Sequence, residues 1–190
     1  MFPLNIPNGL TLVRILLVPV LIVALTGEVA GGSTLAAIVF AVAALTDGLD
    51  GYIARTRESV TTFGKVMDPV ADKLMVAAAL ISLVSLEKLA PWVAMVVIAR
   101  EFAVSGLRIA AGQRGVVIPA SGLGKLKTIV QVAAVLALIA APDHHDAWVQ
   151  ALVYAMVLVT LVSGADYFLN FRRETLTRPS ARGVDPPGAR

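Results

Sequence analysis

Long apolar runs separated by short polar connections dominate this chain. Each run is long enough for a membrane-spanning helix, because roughly 20 residues of helix cross the hydrocarbon core of a bilayer. The pattern predicts six such helices, at about 10–25, 33–55, 63–86, 91–111, 123–141 and 147–171. The sequence therefore predicts an all-α integral membrane protein with six transmembrane helices.

Composition supports a membrane protein and excludes several kinds of site. Hydrophobic residues make up 57% of the chain and charged residues 15%, against about 25% charged residues in ordinary soluble domains. The mean hydropathy is +0.81. The absence of cysteine excludes disulfides, thiolate metal sites and cysteine nucleophiles. Residues 1–8 lack the basic region of a cleavable signal peptide, so we expect the first apolar run to be retained.

The basic residues are distributed asymmetrically between the two ends of the predicted helices. One end carries nearly all of them: Arg14, Arg55, Arg57, Lys65, Arg108, Arg114, Lys125, Lys127 and the arginines after 171. The connections at the other end carry a single basic residue, Lys88. The positive-inside rule then predicts that both termini and the charged helix ends face the cytoplasm. Residues 1–171 would form the transmembrane catalytic domain and 172–190 a disordered basic cytoplasmic tail.

Two pairs of aspartates lie at the cytoplasmic ends of the second and third predicted helices. Asp47 and Asp50 are spaced i, i+3, and Asp68 and Asp72 are spaced i, i+4, so each pair shares a helical face. A short connection joins the two helices, which lets the pairs face each other. Four facing carboxylates repel unless cations lie between them. Oxygen ligands without histidine or cysteine favour two Mg²⁺ or Mn²⁺ ions, which would clamp a pyrophosphate during displacement at phosphorus.

An alternative interpretation treats these carboxylates as a structural ion-pair network with the nearby basic residues Arg55, Arg57, Lys65 and Lys73. For a single aspartate near a helix end the two interpretations weigh equally. Four aspartates at helical spacing, with glycine and arginine between them, favour the metal site.

The segment from Thr46 to Lys73 resembles the signature of the CDP-alcohol phosphotransferase family, D-x-x-D-G-x-x-A-R followed by G-x-x-x-D-x-x-x-D. All eight fixed positions match: Asp47, Asp50, Gly51, Ala54, Arg55, Gly64, Asp68 and Asp72. The resemblance implies a six-helix membrane fold, a homodimer, and a site that opens to the cytoplasm. It also implies CDP-diacylglycerol as the phosphatidyl donor.

The same resemblance assigns roles to individual residues. Asp47, Asp50 and Asp68 would bind metal, and Asp72 would be the general base as well as a metal ligand. The cytidine group would contact Gly51, Arg55 and Thr61. Two residues of the N-terminal segment, Asn8 and Thr11, are further candidates for the nucleotide, although Asn8 is equally well interpreted as the cap of the first helix.

The second half of the chain bears on the acceptor alcohol. Arg100 and Arg108 lie on the fourth predicted helix and Lys125 begins the fifth, so the three are candidates for binding an acceptor phosphate. Positive-inside anchoring explains Arg114 and Lys127 but not Arg100, which lies within an apolar run. The segments IAREFAVSGLR and GLGKLKT resemble the glycerol-phosphate branch of the family. This implies transfer of a phosphatidyl group to sn-glycerol 3-phosphate at the bacterial inner membrane.

Two other functions are compatible with the sequence. A sister enzyme with the same chemistry would use inositol phosphate or phosphatidylglycerol as the acceptor. A divalent-cation transporter would use the aspartates as its pathway, but the centres of the first, fifth and sixth helices carry no acidic residue. Nothing points to nucleic acid. Tyr167 is predicted to be an interfacial anchor, and the role of Asp166 stays undecided.

Overall fold

The computed structural model describes the backbone of residues 6–27, 30–57, 62–113 and 122–177, and the side chains of 9–27, 30–46, 70–71, 73–113 and 122–174. Six helices account for nearly all of these residues, and no strand occurs among them. They are α1 (Ile6–Thr26), α2 (Gly32–Arg57), α3 (Thr62–Ser85), α4 (Pro91–Gln113), α5 (Gly122–Ala140) and α6 (Ala147–Thr177).

The predicted number and order of helices are confirmed, and the predicted ends lie within a few residues of the observed ones, apart from the two outermost. The helix α1 begins at Ile6 rather than near residue 10. The helix α6 continues to Thr177, six residues beyond its predicted end. The first part of the predicted disordered tail is therefore helical. Residues 178–190 lie outside the described part of the chain.

Close backbone contacts occur in the turn between α3 and α4 and where α2 begins beside α1. Between α3 and α4, Glu87 takes a left-handed φ of 58°, and the Lys88 amide donates to the Leu83 carbonyl at 3.0 Å, which closes the last turn of α3. At the start of α2, a Cβ on Gly32 would lie 2.5 Å from the carbonyl oxygen of Ala24. Only glycine fits this crossing without displacing the backbone of α1.

The helices pack into one bundle around a continuous apolar core. The helix α1 packs against α2 and α3, while α6 packs against α5 and α4, and contacts between α2 and α5 join the two groups. Fully buried side chains from all six helices fill the centre, including Leu21, Phe40, Leu80, Val97, Leu138 and Met156. This arrangement brings the beginnings of α3 and α5 to the same end of the bundle as the ends of α2, α4 and α6.

The outer surface of the bundle is apolar, as expected for a protein surrounded by lipid. Large hydrophobic side chains such as Leu16, Met95 and Leu158 are at least 60% exposed, a pattern that water-soluble monomers avoid over large areas. Three helical segments are long and apolar enough to cross a bilayer: Gly9–Thr26, Gly122–Ala140 and Ala147–Glu174. The chain is a membrane protein.

The other three helices are not established as membrane spans by their described residues. The described apolar segments of α2 and α3 are the shorter Gly32–Thr46 and Lys73–Ser85, and charged residues interrupt α4 at Arg100, Glu101 and Arg108. Charged side chains at membrane depth face the interior of a bundle or an aqueous cavity. That these three helices also cross the membrane stays a prediction.

Candidate active site

The predicted metal ligands lie on the two helices expected to carry them. Asp47 and Asp50 belong to the C-terminal part of α2, and Asp68 and Asp72 belong to the N-terminal part of α3. Helix geometry therefore places each pair on one face, and α2 contacts α3. The four side chains lie outside the described residues, so the dinuclear metal site stays a prediction.

A cavity of about 280 Å³ opens beside this acidic segment. It lies between α3, α4, α5 and α6, at the end of the bundle where α3 begins. Its polar and charged lining comprises Lys73, Arg100, Glu101, Ser105, Arg108, Lys125, Lys127, Thr128, Ser163 and Tyr167. Since Lys73 directly follows Asp72 in α3, the cavity reaches the helical turn that carries the second acidic pair. We call this space the acceptor cavity.

Two of the predicted phosphate ligands are exposed side chains on the wall of the acceptor cavity. Arg108 comes from the last turns of α4 and Lys125 from the first turn of α5. Neither forms an ion pair with any other residue whose side chain the structure describes. The Arg108 guanidinium carbon lies 5.9 Å from the centre of the Tyr167 ring, within the range of a cation–π contact. An anion entering the cavity would therefore meet two available cations.

Tyr167 does not serve as an interfacial anchor, and that prediction is wrong. Its side chain is 5% exposed, and it lines the acceptor cavity. Its hydroxyl is buried and has no hydrogen-bond partner among the described residues. A buried tyrosine hydroxyl usually has one, so we expect a partner for this group outside the described residues.

The third predicted phosphate ligand, Arg100, is already engaged by protein groups. Its Nη1 donates to Glu101 Oε1 at 3.0 Å, and its Nη2 donates to the Ser163 hydroxyl on α6 at 3.0 Å. A Cβ on Gly164 would lie 3.2 Å from the Arg100 Cγ, so the arginine crosses α6 at a residue without a side chain. The structure places Arg100 on the acceptor cavity but fixes its guanidinium between α4 and α6.

Glu101 and Lys127 form an ion pair that the sequence did not reveal. The ammonium of Lys127 on α5 lies 2.5 Å from the same Glu101 oxygen that accepts from Arg100. Lys127 is 5% exposed, so its assignment to surface anchoring is wrong. The available signal was Glu101 itself, an acidic residue in an apolar run, which requires a cationic partner.

Comparisons with known proteins bear on what this arrangement does. Residues 4–162 match the CDP-alcohol phosphatidyltransferase family. The chain belongs to this family. The matched region includes both aspartate pairs and every residue that lines the acceptor cavity except Ser163 and Tyr167.

Relatives within the family are similar over most of their length. A Bacillus subtilis protein named CDP-diacylglycerol–glycerol-3-phosphate 3-phosphatidyltransferase is 40% identical, over 86% of this chain and 93% of its own. A Rickettsia felis protein of the same name is 36% identical, again over 86% of this chain and 93% of its own. A Mycobacterium tuberculosis protein named probable phosphatidylglycerophosphate synthase is 41% identical, over 90% of this chain and 83% of its own.

The residues predicted to hold the nucleotide are less fully described. Gly51 and Arg55 lie in the last turns of α2, and Asn8 lies inside the first turn of α1 rather than before it, which argues against its interpretation as the helix cap. Thr11 is buried, with 2% of its surface exposed. Thr61, the side chains of Asn8 and Arg55, and the surroundings of Gly51 lie outside the described part of the structure. Their contacts with the cytidine stay predictions.

Asp166, which the sequence left undecided, lies on α6 one residue before Tyr167. Its Oδ1 accepts a hydrogen bond from the Asn170 amide at 3.3 Å, a pairing of residues one helical turn apart. This contact stays within α6 and does not involve a residue of the acceptor cavity.

Proposed function

We propose that the chain transfers the phosphatidyl group of CDP-diacylglycerol to sn-glycerol 3-phosphate, giving phosphatidylglycerophosphate and CMP. The observation that carries the proposal is the acceptor cavity, where Arg108 and Lys125 are available for a phosphate next to the acidic segment of α3. The names of the relatives support the same donor and acceptor. The volume of about 280 Å³ lies just below the roughly 300–1,000 Å³ of pockets for drug-sized ligands, which suits a small acceptor.

In the proposed reaction, the phosphate of the acceptor binds Arg108 and Lys125 and its hydroxyl points toward α3. Asp72 takes the hydroxyl proton, and the alkoxide oxygen attacks the phosphorus that bears the diacylglycerol. The new phosphorus–oxygen bond forms as the bond to the CMP phosphate oxygen breaks, and CMP leaves with that electron pair. Gly51 and Arg55 hold the nucleotide half of the donor.

The ligand atoms that the acidic segment offers suit hard divalent cations. Four carboxylates at helical spacing, Asp47, Asp50, Asp68 and Asp72, offer only oxygen ligands, which Mg²⁺ and Mn²⁺ prefer. Two bound ions would supply charge neutralisation to the pyrophosphate of the donor. Without them, four carboxylates beside a pyrophosphate would repel it.

The proposed setting is the bacterial cytoplasmic membrane, with both termini and the acceptor cavity on the cytoplasmic side and the chain in a homodimer. Two observations support this setting. The basic residues lie at the end of the helices that carries the acceptor cavity, with Lys88 alone in the connections at the other end, and the chain resembles the family. A water-soluble acceptor such as glycerol 3-phosphate reaches the cavity from the cytoplasm.

The test is a purified-protein assay with CDP-diacylglycerol against a panel of acceptors. The panel contains glycerol 3-phosphate, inositol phosphate, phosphatidylglycerol, and glycerol without phosphate as the matched control. The lipid product is identified by its mass. We expect phosphatidylglycerophosphate and release of CMP with glycerol 3-phosphate alone. Turnover of inositol phosphate or phosphatidylglycerol in its place would assign the chain to a sister enzyme.

A further inference from the structure

Glu101 is the one acidic side chain among the described residues that line the acceptor cavity. Five basic residues share this lining: Lys73, Arg100, Arg108, Lys125 and Lys127. A cavity built to attract a phosphate gains nothing in affinity from a carboxylate on its wall, because like charges repel. The position of Glu101 therefore requires an explanation beyond phosphate attraction.

The Glu101 carboxylate lies between the cationic groups of Arg100 and Lys127. One of its oxygens accepts from Arg100 Nη1 at 3.0 Å and also contacts the Lys127 ammonium. An arginine and a lysine converging on one oxygen is a common way for proteins to hold a phosphate oxygen. The side chains of Arg100 and Lys127 are largely buried, 15% and 6% exposed. These two cations therefore need a nearby negative charge.

This anionic position is deeper in the bundle than Arg108 and Lys125. A second, smaller cavity of about 70 Å³ lies inside the bundle, and Glu101, Lys127 and Thr128 line both cavities. The Glu101–Lys127 pair therefore separates the acceptor cavity from the inner one. A phosphate held there would lie away from the two exposed cations at the cavity wall.

We infer that Glu101 is a positioning residue that acts as a built-in anion, filling the inner position between Arg100 and Lys127. The inference rests on the proposed function, because it concerns where the acceptor's phosphate binds. With the inner position filled, the phosphate binds the outer position at Arg108 and Lys125. The length of the acceptor then sets how far its hydroxyl reaches toward α3.

The test uses Glu101→Gln and inorganic phosphate as the probe. The substitution keeps the shape of the side chain and removes the negative charge that Arg100 and Lys127 share. Inorganic phosphate should then become a stronger competitive inhibitor against the acceptor. We expect its Ki to fall about tenfold, the factor that one charge-assisted contact gives at the low end. The kcat should fall while the KM for the acceptor does not rise, because the acceptor binds too deeply.

Two further variants separate this role from a merely structural one. Glu101→Gln combined with Lys127→Met removes one charge of each sign, so the Ki for phosphate should return close to that of the unaltered enzyme. Glu87→Gln, in the exposed turn between α3 and α4, is the matched control and should change neither the Ki for phosphate nor the kcat. A lower kcat with an unchanged Ki in Glu101→Gln overturns the inference. So does a double variant whose Ki stays as low as that of Glu101→Gln.

Lys127→Met alone decides the matter if Glu101→Gln does not fold. In that variant Glu101 still contacts Arg100, and a phosphate at the outer position does not contact residue 127. The Ki for phosphate should therefore rise by clearly less than the roughly tenfold that a lost direct contact gives. A rise of tenfold or more would show that phosphate contacts Lys127 itself and overturns the inference. The outcome is independent of the acceptor's identity, because phosphate inhibition can be measured against whichever acceptor the panel assay identifies.

Discussion

Replacing Arg108 with alanine tests whether the exposed cations of the acceptor cavity bind the acceptor's phosphate. A hydrogen bond to a charged group contributes about 1.5–3 kcal/mol. Arg108 is exposed at the cavity wall, so solvent screening places the expected loss in the lower half of that range, about 1.5–2 kcal/mol. At about 1.36 kcal/mol per factor of ten, the KM for glycerol 3-phosphate should rise roughly ten- to thirtyfold.

The cation–π contact with Tyr167 does not add to this value. Arg108 lies over the ring in the protein without ligand, at 5.9 Å. Loss of this contact therefore changes the free energy of the free enzyme and that of the complex by the same amount. The kcat should change little, because an interaction made equally in the ground state and the transition state affects KM alone. Arg108→Lys should recover part of the affinity, since lysine keeps the charge but not the planar fork of donors.

The assay measures initial rates in detergent while each substrate is varied in turn. In Arg108→Ala the KM for CDP-diacylglycerol should stay nearly constant. In Arg55→Ala the KM for CDP-diacylglycerol should rise and the KM for glycerol 3-phosphate should stay unchanged. The control is Arg173→Ala, an exposed arginine on α6 outside the acceptor cavity, which should change neither. If Arg108→Ala and Arg173→Ala gave the same constants, the basic residues of α4 would serve topology rather than acceptor binding.

Three further predictions concern the metal, the base and the bundle. Removal of divalent cations with EDTA should abolish turnover and Mg²⁺ or Mn²⁺ should restore it, since the four carboxylates would otherwise repel the donor; full activity in metal-free buffer would contradict the dinuclear site. Asp72→Asn should lower kcat about 10²- to 10⁴-fold, with donor binding retained in an equilibrium assay; near-normal kcat would place the base elsewhere. Gly32→Ala should destabilise the protein by about 1–3 kcal/mol, because its Cβ would lie 2.5 Å from a backbone oxygen of α1. Thermal unfolding checks this against Gly106→Ala, where nothing lies within 4 Å; equal changes in Tm would refute the steric argument.

The sequence by itself determined the helices, their order and the family. Apolar runs of spanning length are local features of the sequence. The proline that begins α4, Pro91, and the short polar connections between the helices are local features as well. The acidic signature is local as well, because each of its halves lies within about two and a half turns of a single helix, α2 or α3. These properties depend on neighbours in the chain and not on how the helices pack.

Only the tertiary structure decided which basic residues are available and which are engaged. Lys125 and Lys127 are two positions apart in α5 and have the same charge, yet Lys125 is exposed and Lys127 is buried against Glu101 of another helix. Burial of Tyr167 beside Arg108 likewise depends on how α6 packs against α4. Residues two apart on a helix point in directions that differ by about 200°. The rotation of α5 against its neighbours therefore decides that Lys125 faces the acceptor cavity and that Lys127 packs against Glu101. No local sequence pattern encodes that rotation.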